Sequence, residues 1–272
     1  MPQRRWIKLS LFLALIPAEG FASPDFPAPE LHENSLALKN TATSASYNRE
    51  HKQADWVFYP LGENELEACV DRGNAFHPDP RLDRGDAAEL ADYKGSGFDR
   101  GHLSPAGDNR WSQAAMDESF LLTNVSPQPA AFNRGIWSRL ESLVRAWAKD
   151  KSLWVTTGPV LSGTLKTIGD DKVSVPEYFY KVLATQEGDK HDAVAFVLPN
   201  DATGDFSQYE MTVSKLEDIS GLHFLSGLSD EDEAKSSIDP ALWNLHATFS
   251  YVPCKSVKPG TLDWAWGLSP PL

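Results

Sequence analysis

Three side chains of different chemistry lie close together in the sequence: His102, Asn133 and Glu141. Histidine changes charge near neutral pH, so His102 can take a proton from water or serve as a hydrogen-bonded core residue. Ile136, Trp137, Leu140, Leu143, Val144 and Trp147 recur at helical spacing and predict a helix over 133–149. An asparagine at its start is equally suited to cap the helix and to give one oxygen to a hard cation. Glu141 stands eight residues beyond Asn133, about 12 Å along a regular helix. At that distance it would reach a shared cation only through water, and it can also pair with Arg145 one turn on. Arg72, Arg100 and Arg145 carry planar, permanently charged groups that match phosphate oxygens; taken singly, each could equally be a solvated surface charge.

These residues need a scaffold. Ala54-Asp55-Trp56-Val57-Phe58-Tyr59 is aromatic and β-branched, as a strand requires. Further strands are expected at Gly97–Leu103, Leu121–Val125, Leu153–Thr157, Tyr178–Ala184 and Asp192–Leu198, with a helix near Val213–Ser220. Residues 71–97 are rich in Gly, Pro and Asp and read as loop. Strands and helices alternate without a parallel-sheet pattern, which points to an α+β fold. Trp137 and Trp147 read as core on the helix face.

The segment Asp99-Arg100-Gly101-His102-Leu103-Ser104-Pro105 is followed by Leu122-Thr123-Asn124-Val125-Ser126-Pro127-Gln128, and then by Phe132-Asn133-Arg134-Gly135-Ile136-Trp137 with Arg139-Leu140-Glu141. Together they resemble the DNA/RNA non-specific endonuclease family, whose active site is a ββα-metal unit. The likeness continues through Thr157-Gly158-Pro159, Tyr178–Val182, Ala195-Phe196-Val197 and Tyr209–Val213, covering roughly residues 45–230. It implies a central mixed or antiparallel sheet with flanking helices. It also implies an endonuclease that hydrolyses DNA and RNA with little sequence preference and leaves 5′-phosphates. By the same resemblance His102 is the general base, and Asn133 is the direct ligand of Mg²⁺, with Mn²⁺ as the alternative ion. Glu141 holds the ion through water. Arg100 and Arg145 contact phosphate. Arg72 is a third candidate, at a spacing about two residues longer than the family's. Asp99 is expected to orient its neighbours, and Asn124 and Gln128 to be structural hydrogen-bonders behind the site. Two rival readings stand beside this one. One is a catalytically silent member that binds nucleic acid or a protein partner; the other is a hydrolase with Cys69 as nucleophile.

Hydrophobic residues make up 41% and charged residues 23% of the 272, a balance that excludes a disordered chain. The net charge of −13 is unlike that of a broad phosphate-binding surface. Yet from Lys94 to Asp150 seven basic residues meet six acidic ones, so a local cationic cleft on an acidic body is expected. Arg4, Arg5 and Lys8, the apolar run Leu9–Ile16 and Gly20-Phe21-Ala22 read as a signal peptide over 1–22. Loss of that segment brings the mature charge near −15. The reading implies a secreted or periplasmic protein, not one held in a membrane. Residues 23–45 then read as an extended lead-in, 46–253 as the nuclease domain and 254–272 as an irregular tail. In an exported chain Cys69 and Cys254 are expected to form a disulfide, two separate thiols being the alternative. Any inhibitor protein and the oligomeric state are left open.

Overall fold

The computed structural model describes residues 28–32, 34–187, 190–225 and 243–255. The expected signal peptide lies outside the described residues. Thirteen strands and five α-helices are described. The strands are β1 (Leu36–Lys39), β2 (Ser44–Asn48), β3 (Gln53–Leu61), β4 (Glu67–Ala68), β5 (Asp99–His102), β6 (Val125–Gln128), β7 (Leu153–Pro159), β8 (Lys166–Ile168), β9 (Val173–Val175), β10 (Tyr178–Glu187), β11 (Lys190–Pro199), β12 (Glu210–Met211) and β13 (Val252–Pro253). The helices are α1 (Leu90–Tyr93), α2 (Gln113–Ser119), α3 (Ala130–Phe132), α4 (Ser138–Trp147) and α5 (Val213–Ser220).

Seven strands form one antiparallel sheet in the order β1-β2-β3-β7-β10-β11-β12. Side chains of period two feed two cores. In β3, Val57, Tyr59 and Leu61 face one side, with Trp137, Leu140 and Trp147 of the site helix, while Trp56 and Phe58 face the other, with Val213 and Leu216 of α5. β11 splits the same way, Phe196 and Leu198 against Ala195 and Val197. Because both faces are covered, these strands are apolar at nearly every position. The fold is α+β, as the sequence implied.

Three expectations change. Residues 23–45 are more than a lead-in, because β1 and the start of β2 lie there and extend the sheet edge. The strand expected at Leu121–Val125 begins instead as a 3₁₀ turn over Leu122–Asn124, with β6 following. The site helix starts at Ala130, after Pro129, rather than at Asn133. Proline excludes a preceding helical turn, and two alanines favour the one that follows. A disulfide joins Cys69 and Cys254 across 185 residues. No helix among the described residues is long and apolar enough to cross a membrane.

Candidate active site

β5 and β6 form an antiparallel pair, Asp99 opposite Gln128 and His102 opposite Val125. The chain then turns at Pro129 into α3, a π-helical turn over Asn133–Trp137, and α4. Non-helical backbone at Gly135 (φ −102°, ψ −110°) breaks the regular spiral there. Asn133 itself has helical dihedrals and is not an N-cap, so capping does not explain its presence. The break also invalidates the regular-helix spacing between Asn133 and Glu141.

Alternation along β5 sorts its side chains. Arg100 and His102 share one face, Asp99 and Gly101 the other. On the first face His102 lies between Phe76 and Phe120, at ring-centre distances of 5.1 and 5.0 Å. Arg100 lies 4.3 Å over Phe76 and Arg72 lies 5.5 Å from Phe120, both arginines solvent-exposed. His102 is only 9% exposed, and its Nε2 is shut off from solvent without a hydrogen-bond partner. Burial first, then the charges of Arg72 and Arg100, push its pKa down to about 3. The imidazole is therefore neutral at physiological pH.

On the second face Asp99 accepts a hydrogen bond from Asn133 Nδ2 at 3.0 Å and two from Arg134 at 2.8 and 2.7 Å. The orienting role expected of Asp99 has this concrete form: with Nδ2 committed, Asn133 Oδ1 is the atom left to accept a cation. Gly101 admits the close approach of Gln128, whose amide occupies the space of a β-carbon. Gln128 is fully buried, and neither its Nε2 nor its Oε1 has a partner. The expected hydrogen-bonding role of Gln128 is thus corrected to one of packing. Asn124 does behave as expected, accepting from Ser104 N–H and donating to the carbonyls of Ser104 and Ser119.

Beneath α4 lies a buried set of charges. Asp108 accepts from Arg145 Nη1 at 2.7 Å and from Tyr59 Oη at 3.1 Å. Arg145 is 7% exposed and also donates to Ser142 Oγ at 3.1 Å. Arg145 is therefore a buried partner of Asp108, not a solvent-facing phosphate ligand, and its ion pair is not with Glu141. Lys181 is buried below Trp137, donates to Thr157 Oγ1 at 2.5 Å and sits opposite Thr157 in the sheet. Glu141 makes no hydrogen bond or ion pair closer than 4 Å among the described residues. Burial raises its pKa, opposed first by Lys181, then by Arg145 and, more weakly, by Arg72. Burial likewise lowers that of Lys181, opposed first by Glu141.

The sequence reading missed Asp108 and Lys181. Asp108 was within reach, since it follows Pro105-Ala106-Gly107 directly after the histidine motif. Nothing local marks Lys181, which looks like any strand lysine. The donors present suit a hard ion: one amide oxygen held by Asp99, and a carboxylate with no direct protein partner. Among the described residues the other candidate cluster, Glu67 with Cys69 and Cys254, is excluded because its sulfurs are bonded to each other.

An antiparallel strand pair bearing histidine, followed by a helix bearing an oriented asparagine, defines the ββα-metal class of site. The profile of the DNA/RNA non-specific endonuclease family matches residues 23–231, and the chain belongs to that family. Nuclease C1 of Cunninghamella echinulata var. echinulata is 39% identical over 212 residues, 70% of this chain and 83% of that protein. The mitochondrial nuclease EXOG of Danio rerio is 35% identical over 76% of this chain; the match spans 65% of that relative's length. The crystal structure of the EndoG/EndoGI complex, described as giving the mechanism of EndoG inhibition, aligns with a TM-score of 0.69 at 29% identity. That alignment covers 72% of this chain and 88% of that one. Mitochondrial nucleases recur among the relatives and overturn the secreted or periplasmic location expected from the leader.

Proposed function

We propose that this chain is a divalent-metal-dependent endonuclease that hydrolyses phosphodiester bonds of DNA and RNA with little sequence preference and leaves 5′-phosphates. The observation that carries the reading is the Asp99–Asn133 hydrogen bond. It ties the helix asparagine to the strand that carries His102, so proton acceptor and cation ligand are set by one element. Asn133 Oδ1 would hold Mg²⁺ directly, and Glu141 would hold its water shell; Mn²⁺ is the alternative ion. Bound there, the ion supplies positive charge to a phosphoryl oxygen and to the leaving 3′ oxygen.

The rest is the work of the protein's own groups. His102 is neutral and so has a lone pair free to take the proton of the attacking water, and the negative charge of the bound phosphate offsets the positive charge that it gains. Phe76 and Phe120 fix the ring and keep bulk water from it. Arg72 and Arg100, exposed and resting on those two rings, hold phosphate oxygens. Arg145 and Lys181 place two positive charges near Glu141 and favour its ionised form. Contacts of this kind read phosphate and not bases, so weak sequence preference follows. An inhibitor protein is a natural partner to test, because the matched EndoG structure is a complex with EndoGI.

The test uses supercoiled plasmid and RNA with the purified chain in Mg²⁺ or in EDTA. Cutting of both substrates in Mg²⁺ and none in EDTA is expected. His102→Ala should lower the rate about 10²–10⁴-fold, the range of a general base. Metal-independent cutting, or full activity of His102→Ala, would sink the reading.

A further inference from the structure

The family match ends at residue 231. The described chain resumes at Trp243 and runs to Lys255 across the site helix. It docks first at the end of α4. Trp243 is fully buried with its ring edge-on to Trp147 at 5.1 Å, and the Trp147 indole donates to the Asn244 carbonyl at 2.9 Å. Leu245, Ala247 and Phe249 turn alternately inward onto the core. Phe249 brings its ring centre to 5.5 Å from the Arg145 guanidinium carbon, and Arg110 lies 4.6 Å over Tyr251. A methyl group on Gly107 would stand 2.8 Å from Tyr251 Oη and 2.9 Å from Arg145 Nη1. A larger residue there would have to push back the ends of both side chains, so glycine lets the turn after the histidine motif, the arginine and the C-terminal segment meet closely.

The far end is tied to a different part of the site. Val252–Pro253 pairs with β4, and Cys254 is bonded to Cys69. Cys69 lies three residues before Arg72. The N–H groups of Cys69 and Val70 both donate to the Arg110 carbonyl, and Arg110 Nε returns a bond to Val70 O. One covalent link therefore joins the segment that covers Arg145 to the segment that presents Arg72.

We propose that residues 243–255 are a positioning strap for Arg145 and Arg72, and that the Cys69–Cys254 disulfide holds it closed, so that full nuclease activity requires oxidising conditions. This rests on the reading of the site given above. The ladder of β13 on β4 is two residues long and contributes little by itself. Without the cross-link the end of the strap is held only by that ladder and by Lys255 on Glu63 and Glu67 and regains part of its chain entropy, while the loop carrying Arg72 keeps its bonds to Arg110 but loses its covalent anchor. In the redox step a dithiol reductant gives up two electrons and two protons. It closes to its own cyclic disulfide and leaves a thiol on each of Cys69 and Cys254.

The experiment compares the oxidised full chain, the same protein reduced with dithiothreitol, Cys254→Ser, Tyr251→Ala and Tyr251→Phe. Each is assayed for plasmid cleavage (kcat and KM) in Mg²⁺, for binding to a labelled oligonucleotide in EDTA, and for thermal unfolding. Reduction and Cys254→Ser are expected to lower kcat about tenfold to a hundredfold, the scale of a misplaced charged group, and to weaken binding in EDTA, while the chain stays folded at the assay temperature. Tyr251→Ala, with its disulfide intact, should follow Cys254→Ser, and Tyr251→Phe should follow the wild type. Equal kcat in all five samples overturns the strap. So does a higher kcat on reduction, which would make the segment a cover over the site. No cutting by the oxidised wild type overturns the nuclease reading and the strap together, whereas cutting indifferent to every strap change overturns the strap alone.

Discussion

Two regions of the site use arginine in opposite ways. Arg72 and Arg100 lie in the open, resting on Phe120 and Phe76 with their guanidinium groups toward solvent. Arg145 lies under the helix, its side chain 8% exposed and that of its partner Asp108 2% exposed. An exposed arginine over a ring is loosely held, by about 0.5–1 kcal/mol, and screened by salt. A buried arginine has one geometry, because leaving its charge unpaired in a dry site costs several kcal/mol. The comparison teaches that one residue type can stand as a mobile, hydrated charge at the surface of a site and as a fixed charge beneath it. The surroundings decide which.

The largest test of that contrast is Asp108→Ala. It leaves Arg145 buried without its partner and removes the acceptor for Tyr59. It should cost about 3–5 kcal/mol of stability, read as a lower urea midpoint, with loss of activity. A loss under 1 kcal/mol would make the buried pair no different from a surface one. Gly101→Ala ranks next. Its methyl group would press into the buried Gln128 amide, an overpacking cost of about 1–3 kcal/mol. Gln128→Ala in the same chain should restore much of it; a double variant no better than the single one would locate the strain elsewhere.

His102 then separates the two regions by pH. Its pKa falls from 6.5 in the unfolded chain to about 3 in the folded one. Between those values the unfolded chain takes up a proton that the native chain refuses. Stability therefore drops as pH falls through the window and is indifferent to this group above it. The slope approaches about 1.4 kcal/mol per pH unit. Urea melts from pH 4 to pH 7 should be steeper in wild type than in His102→Phe, with that slope as the difference between them. Identical slopes would mean that the imidazole is not held neutral by burial. The smallest effect on stability is expected from Arg100→Ala, within about 0.5 kcal/mol as for other surface substitutions. KM should nonetheless rise, and binding should become less sensitive to salt as one phosphate contact is lost. An unchanged salt dependence would remove Arg100 from the phosphate path.

How much of this could be read from the chain depends on the range of the interaction. β3, β10 and β11 were legible because they are nearly unbroken apolar, aromatic and β-branched runs, as strands covered on both faces must be. Thr212 and Gly221 bracket α5 by local capping alone. The histidine motif and Asn133 were legible because their chemistry is compact in sequence. The pairing of Arg145 with Asp108 was not, because helical spacing offered Glu141 as a nearer partner and only packing moves the guanidinium away from it. The aromatic pair around His102 was hidden likewise, since Phe76 sits in a stretch with no periodic signal. The disulfide was expected from an export argument that the comparisons overturn, yet the bond is present, because the strap brings the two sulfurs together whatever the leader does.

The sequence alone determined which groups are available: a base, an amide oxygen, a carboxylate and three arginines, on elements whose local periods it also encodes. The tertiary structure decided what each group is. Burial between two rings makes the histidine neutral, a bond donated to Asp99 commits the asparagine nitrogen and leaves its oxygen to accept, and contact with Asp108 and Phe249 takes one arginine out of solvent. Charge state and orientation depend on the dielectric and the neighbours a residue meets after folding, and those neighbours come from distant parts of the chain.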